Sequence, residues 1–115
     1  MHTMRKLMTL LENDAPQRVF HGTSGVQAAK IAEAGYHVTN LFTTSSEDDA
    51  SDYAYERAQE DGDHVKVMFV LNAAMLRRGQ HTETGIDYAR DDEAVIHIVF
   101  SGDLRPAIIE QRRFE

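Results

Sequence analysis

A chain of 115 residues is the size of one ordinary domain, and its 42% hydrophobic and 27% charged residues match a soluble globular fold rather than a disordered or collagen-like one. The absence of cysteine excludes disulfides, thiolate zinc sites, iron–sulfur clusters and a cysteine nucleophile. A formal net charge of −7, from 19 acidic and 12 basic residues, opposes non-specific attraction to nucleic acid or to an anionic membrane.

In chain order, Leu7, Met8, Leu10 and Leu11 suit a short amphipathic helix that the Asn13-Asp14-Ala15-Pro16 turn would end. Arg18 to His21 reads as a short strand, halted at Gly22-Thr23-Ser24-Gly25. A helix follows, with Ser24 as N-cap, Val26, Ala29, Ile31 and Ala34 near helical spacing, and Gly35 as its stop. After a loop through Tyr36 to Asn40, Leu41 to Thr44 is a second short strand. Ser45 or Ser46 then caps another helix. Its first turn holds Glu47, Asp48 and Asp49, where the helix dipole favours negative charge, and Ala50, Tyr53, Ala54 and Ala58 form its apolar stripe up to the Asp61-Gly62-Asp63 turn.

Val65 to Leu71 runs apolar without alternating, as a strand covered on both faces does. Asn72 to Arg78 is a short helix or turn, and Gly79 to Asp92 is a polar stretch long enough to be a functional loop. Val95 to Phe100 is the clearest strand, turned by Ser101-Gly102-Asp103. Ala107 to Ile109 is a last edge strand before a charged tail. The order of strands and helices gives an α+β fold in a single domain, 1–115.

The phosphate-binding patterns GxxxxGK[ST] and GxGxxG are missing, as are HExxH and GxSxG. Histidines 2, 37, 64, 81 and 97 show no i, i+4 pairing around a carboxylate, so no metal is expected. No apolar run approaches the ~20 residues that span a bilayer, and the N-terminus is too short and polar for a signal peptide. A cytoplasmic protein without a membrane partner is the expectation.

Three segments carry the chemistry: Phe20-His21-Gly22-Thr23, Leu41-Phe42-Thr43-Thr44-Ser45 and Ala50-Ser51-Asp52-Tyr53-Ala54. Together they resemble the NAD-binding core of ADP-ribosyltransferases, and within these the His-Tyr-Glu branch of diphtheria toxin and exotoxin A. The likeness rests on the strand-end His-Gly-Thr, the Ala28-Ala29-Lys30-Ile31 helix followed by Gly35, and two aromatics eleven residues apart, Phe42 and Tyr53. It covers roughly 18–70 well and the remainder loosely.

The resemblance implies a split β-sandwich of two small sheets with flanking helices and an NAD cleft between them. It implies that His21 binds the nicotinamide-side ribose, that Gly22 meets the carboxamide through its backbone with Thr23 close by, and that Phe42 and Tyr53 sandwich the nicotinamide, with Thr44 and Ser45 also in the cofactor site. Flat aromatic faces suit such stacking on physical grounds. It also implies a carboxylate opposite the sugar, which stabilises an oxocarbenium-like transition state as in glycoside hydrolysis. Glu93, at the mouth of the strand after the polar loop, is the candidate, with Asp87, Asp91 and Asp92 as substitutes and His97 the occupant if the register shifts by four. Asp91, two residues before Glu93, would guide the acceptor, and His81 and Glu83 in the polar loop would touch it. Phe42 departs from the tyrosine of most relatives. The expected activity is mono-ADP-ribosyl transfer from NAD to an acceptor, a protein before a nucleic acid or small molecule. The alternative is a catalytically silent module of the same fold acting through a protein partner.

Overall fold

Val67 to Leu71 is an unbroken apolar run, and every residue in it is buried. The computed structural model describes residues 17–87 and 94–115. The elements are β1 (Arg18–Ser24), α1 (Gly25–Glu33), β2 (His37–Thr44), α2 (Glu47–Asp61), β3 (Lys66–Asn72), α3 (Ala73–Leu76), β4 (Gln80–Asp87), β5 (Ala94–Asp103), a 3-10 turn (Arg105–Ala107) and β6 (Ile108–Phe114). The described residues form an α+β fold, with three helices and a six-stranded antiparallel sheet of order β4-β5-β2-β1-β3-β6.

The sheet is hydrogen-bonded as one, but its halves β4-β5-β2 and β1-β3-β6 meet at a single paired position, Phe20 with Thr44. By contrast β1 pairs with β3 at every residue from Arg18 to Ser24. Beyond Phe20 the strands β1 and β2 part. The parting places a cleft in the middle of the sheet.

The two faces are covered differently. Val19, Val67, Phe69 and Leu71 turn to one face and form the main core with Ala28 of α1, Ala73 and Leu76 of α3, and Leu41, Ile98 and Phe100 of the other half-sheet. On the opposite face α2 lies against β1 through Ala50, Ala54 and Ala58, all buried. It sits so close that a Cβ on Gly22 would stand 1.8 Å from the Ala50 carbonyl oxygen. Glycine is required there by the helix backbone, independently of any ligand.

The expected caps are present. The Ser24 hydroxyl accepts from Gln27 N–H at 3.1 Å, and Ser46 accepts from Asp49 N–H at 3.1 Å. Asp63 adds a cap from outside the helix, accepting from Val26 N–H at 2.8 Å and from Val65 N–H at 3.0 Å. Gly62 ends α2 in the left-handed conformation, φ 64°.

Four readings are corrected. The expected loop from Gly79 to Asp92 is, up to Asp87, the edge strand β4, paired with β5 along its length; an edge strand meets solvent and need not alternate apolar and polar. The charged tail is β6 on the other edge, for the same reason. Residues 101–103 do not turn but complete β5, and β2 starts at His37, with the register shift between Val38 and Leu41 where the loop was expected. The expected helix around Leu7 to Leu11 lies outside the described residues. Among the described residues no helix is long and apolar enough to cross a membrane.

Because the Gly22 Cβ clash is with backbone, Gly22→Ala is expected to lower stability by about 3 kcal/mol, the upper end for overpacking. Gly62→Ala, strained only by its φ of 64° with nothing within 4 Å, is expected to cost about 1 kcal/mol. Urea unfolding of both variants checks the order; equal losses would show that helix contact does not fix Gly22.

Candidate functional site

Where β1 and β2 part, a cleft of about 540 Å³ opens between α1 and α2, within the size range of small-molecule sites. Each helix offers it one face. Gln27, Lys30 and Ile31 of α1 and its C-cap Ala34 stand at i, i+3, i+4 and i+7, and so do Tyr53, Glu56, Arg57 and Glu60 of α2. The floor comes from β1 and β2, including His21, Gly22, Thr23 and Phe42.

His21 bridges the gap that backbone pairing leaves. Its Nδ1 lies 2.7 Å from the Phe42 carbonyl oxygen. A carbonyl only accepts, so Nδ1 carries the proton and, in the neutral ring, Nε2 keeps a lone pair. Burial pushes the His21 pKa below its ordinary value, and the positive charge of Arg57 pushes the same way, against the pull of the Phe42 carbonyl. The ring therefore sits neutral at pH 7, tilted 42° to Phe69 at a centroid distance of 6.2 Å. Among the described residues Nε2 has no hydrogen-bond partner.

Gly22 also bears on the cleft. The Gly25 N–H reaches the Val65 carbonyl at 2.9 Å on the β3 side. With Ser24 extended, alternation along β1 turns the Gly22 N–H and C=O to the opposite side, toward β2, where no strand pairing among the described residues meets them.

Phe42 and Tyr53 are brought together, but edge to face, with centroids 5.5 Å apart and planes at 88°. The rings fill the space between them. Tyr53 lies beside the buried alanine stripe of α2 rather than on it, and is 43% exposed. His97 touches the other side of Phe42, at 4.8 Å and 61°.

The remaining expected residues are placed elsewhere or engaged. Thr23, on the cleft floor, is buried, as is Thr44, whose hydroxyl accepts from Ser46 N–H at 3.1 Å. The Ser45 hydroxyl accepts from Ile96 N–H at 2.8 Å, tying α2's entry to β5. His81 and Glu83 stand on β4, outside the cleft; His81 Nδ1 meets the Gly79 carbonyl at 2.8 Å, and Glu83 takes a two-pronged pair from Arg77 at 2.8 and 3.1 Å that holds its carboxyl below the usual range. Asp87 ends β4. Asp91, Asp92 and Glu93 lie outside the described residues. Among the described residues no three His, Asp or Glu side chains gather as a metal site.

Sequence reading missed the wall of the cleft. Glu56, Arg57 and Glu60 carry no motif, Lys30 stood only as part of the Ala28-Ala29-Lys30-Ile31 pattern, and their signal was that they share helical faces with Ile31 and Tyr53. Compared with protein-family models, curated proteins and solved structures, the chain matches none.

The lowered His21 pKa has a definite sign. Above pH 6.5 the ring is neutral in both folded and unfolded chains; below it the unfolded chain takes up a proton that the folded site resists, so stability falls as pH drops. Melting of the wild type and His21→Gln between pH 7.5 and 5 is expected to show the steeper acid decline in the wild type. Parallel declines would show that His21 is not held neutral.

Proposed function

We propose that the cleft binds NAD and that the protein is a small mono-ADP-ribosyltransferase. The observation that carries the reading is the His21 bridge: a neutral imidazole fixed through Nδ1 to β2, with an accepting Nε2 suited to a ribose hydroxyl. Unpaired amide groups of Gly22, facing the same parting, suit the nicotinamide carboxamide, which offers both donor and acceptor. In this reading the two half-sheets joined at Phe20 and Thr44 are the halves of the split sandwich.

The nicotinamide would stack on Phe42 once Tyr53 turns aside from its edge-to-face position, and Tyr53 would then close over it. Breaking the bond between the ribose C1′ and the nicotinamide nitrogen sends the bonding electron pair to nicotinamide, which leaves neutral. Positive charge develops on the sugar, and an ionised carboxylate offsets it; Glu93 takes this role in the proposal. The acceptor's nucleophilic atom then bonds to C1′ and gives up its proton.

A second reading has its own support. The closed contact between Phe42 and Tyr53, and hydroxyls of Thr44 and Ser45 already hydrogen-bonded within the fold, suit a silent module that acts through a protein partner. Incubation with labelled NAD and a cell lysate separates the two. Nicotinamide release and ADP-ribose incorporation are expected from the wild type, reduced at least ~100-fold in Glu93→Gln and lost in His21→Ala. No turnover, with NAD still raising the melting temperature through mass action, would establish the silent module; no turnover and no shift would overturn the NAD reading.

A further inference from the structure

Two cations face each other across this cleft, and the NAD reading does not use them. Lys30 reaches in from α1 and Arg57 from α2. Both act on Asp61, whose carboxyl is held below the usual range first by the Ser24 hydroxyl, at 2.5 Å, and then in part by the charges of Arg57 and Lys30. Both side chains line the cleft, one from each helix.

Their present partners are weak. Arg57 meets Glu60 at 3.2 Å and Asp61 at 3.7 Å, but Arg57 and Glu60 are 47% and 65% exposed, and exposed pairs of this kind contribute little. Lys30 has no ion pair among the described residues. A doubly charged, multidentate anion would displace the Glu60 contact readily, because guanidinium binds phosphate oxygens in pairs. Glu56 and Glu60, on the same face of α2, would be left to accept from ribose hydroxyls. A wall of cations set among carboxylates suits a diphosphate flanked by sugars better than a bare anion.

We propose that Lys30 and Arg57 clamp the diphosphate of a bound nucleotide from opposite sides of the cleft, giving the site its preference for nucleoside diphosphates over phosphate-free ligands. The clamp rests on the NAD reading for the identity of the ligand, but it can be tested apart from it. Gripping one diphosphate from both helices would also tie α1 to α2 when the site fills.

The test is calorimetric titration of the wild type, Lys30→Gln, Arg57→Gln and Arg57→Lys with NAD, ADP, adenosine and nicotinamide. The wild type is expected to bind ADP and NAD, each about tenfold more weakly in either glutamine variant, with Arg57→Lys restoring only part of the loss. Any binding of adenosine or nicotinamide is expected to be unchanged. Melting of the unliganded variants close to the wild type excludes misfolding. The clamp is overturned if ADP fails to bind, if both glutamine variants keep full ADP affinity, or if they lose adenosine and nicotinamide affinity to the same extent. Binding of ADP that depends on Lys30 and Arg57, without binding of NAD, would support the clamp and overturn the NAD reading.

Discussion

The architecture turns on the parting of β1 from β2. Continuous pairing would make an ordinary six-stranded sheet with no room in its middle. One pair, Phe20 with Thr44, holds the halves together, and past it the backbone amides of the seam need other partners or an open space. The His21 side chain supplies one partner by donating to the Phe42 carbonyl. A histidine does this with one ring nitrogen, and its second has no hydrogen-bond partner among the described residues. The same bond that spans the seam also sets the tautomer of the ring, so the structural and chemical roles of His21 are one.

Around that seam the helices divide the work. The inner stripe of α2 is all alanine and lies flat on the sheet, while its neighbouring face, Tyr53 to Glu60, is given over to the cleft. In α1 the Ala28 side is core and the Lys30 side is cleft. Neither helix is a plain amphipathic helix with one apolar and one solvated side; α2 adds a face of aromatic, acidic and basic residues that lines the cleft, and on α1 the cleft face carries Gln27 and Lys30 beside Ile31, which also packs on the core. The hydroxyls that the resemblance places in the cofactor site, Thr44 and Ser45, also fasten the entry of α2, Thr44 to the N-cap Ser46 and Ser45 to β5.

Much of this was legible in the chain. Caps at Ser24 and Ser46, the buried run in β3 and the short α3 follow from local chemistry that tertiary context did not override. The convergence of His21, Phe42 and Tyr53 was also legible, through a pattern of residues rather than through any one of them. The edge strands were not, because β4 and β6 pair on one side only and their polar residues look like loop and tail. Nor was the edge-to-face closure of Phe42 on Tyr53, which depends on how far the helix stands from the sheet. The clefts' charged walls escaped for a simpler reason: Glu56, Arg57 and Glu60 are ordinary residues on an acidic helix until the fold turns one face inward.

The height of α2 above the sheet is set from beneath, by the missing side chain of Gly22 and the single methyl groups of Ala50, Ala54 and Ala58. Tyr53 rides on that helix, whereas Phe42 belongs to the strand. The spacing of the two rings is therefore a dimension of the core, adjustable by the thickness of the buried side chains beneath the helix. In the proposed NAD reading, variation at Ala54 or Ala58 would tune which flat molecule enters, in the way a shim sets the jaw of a vice.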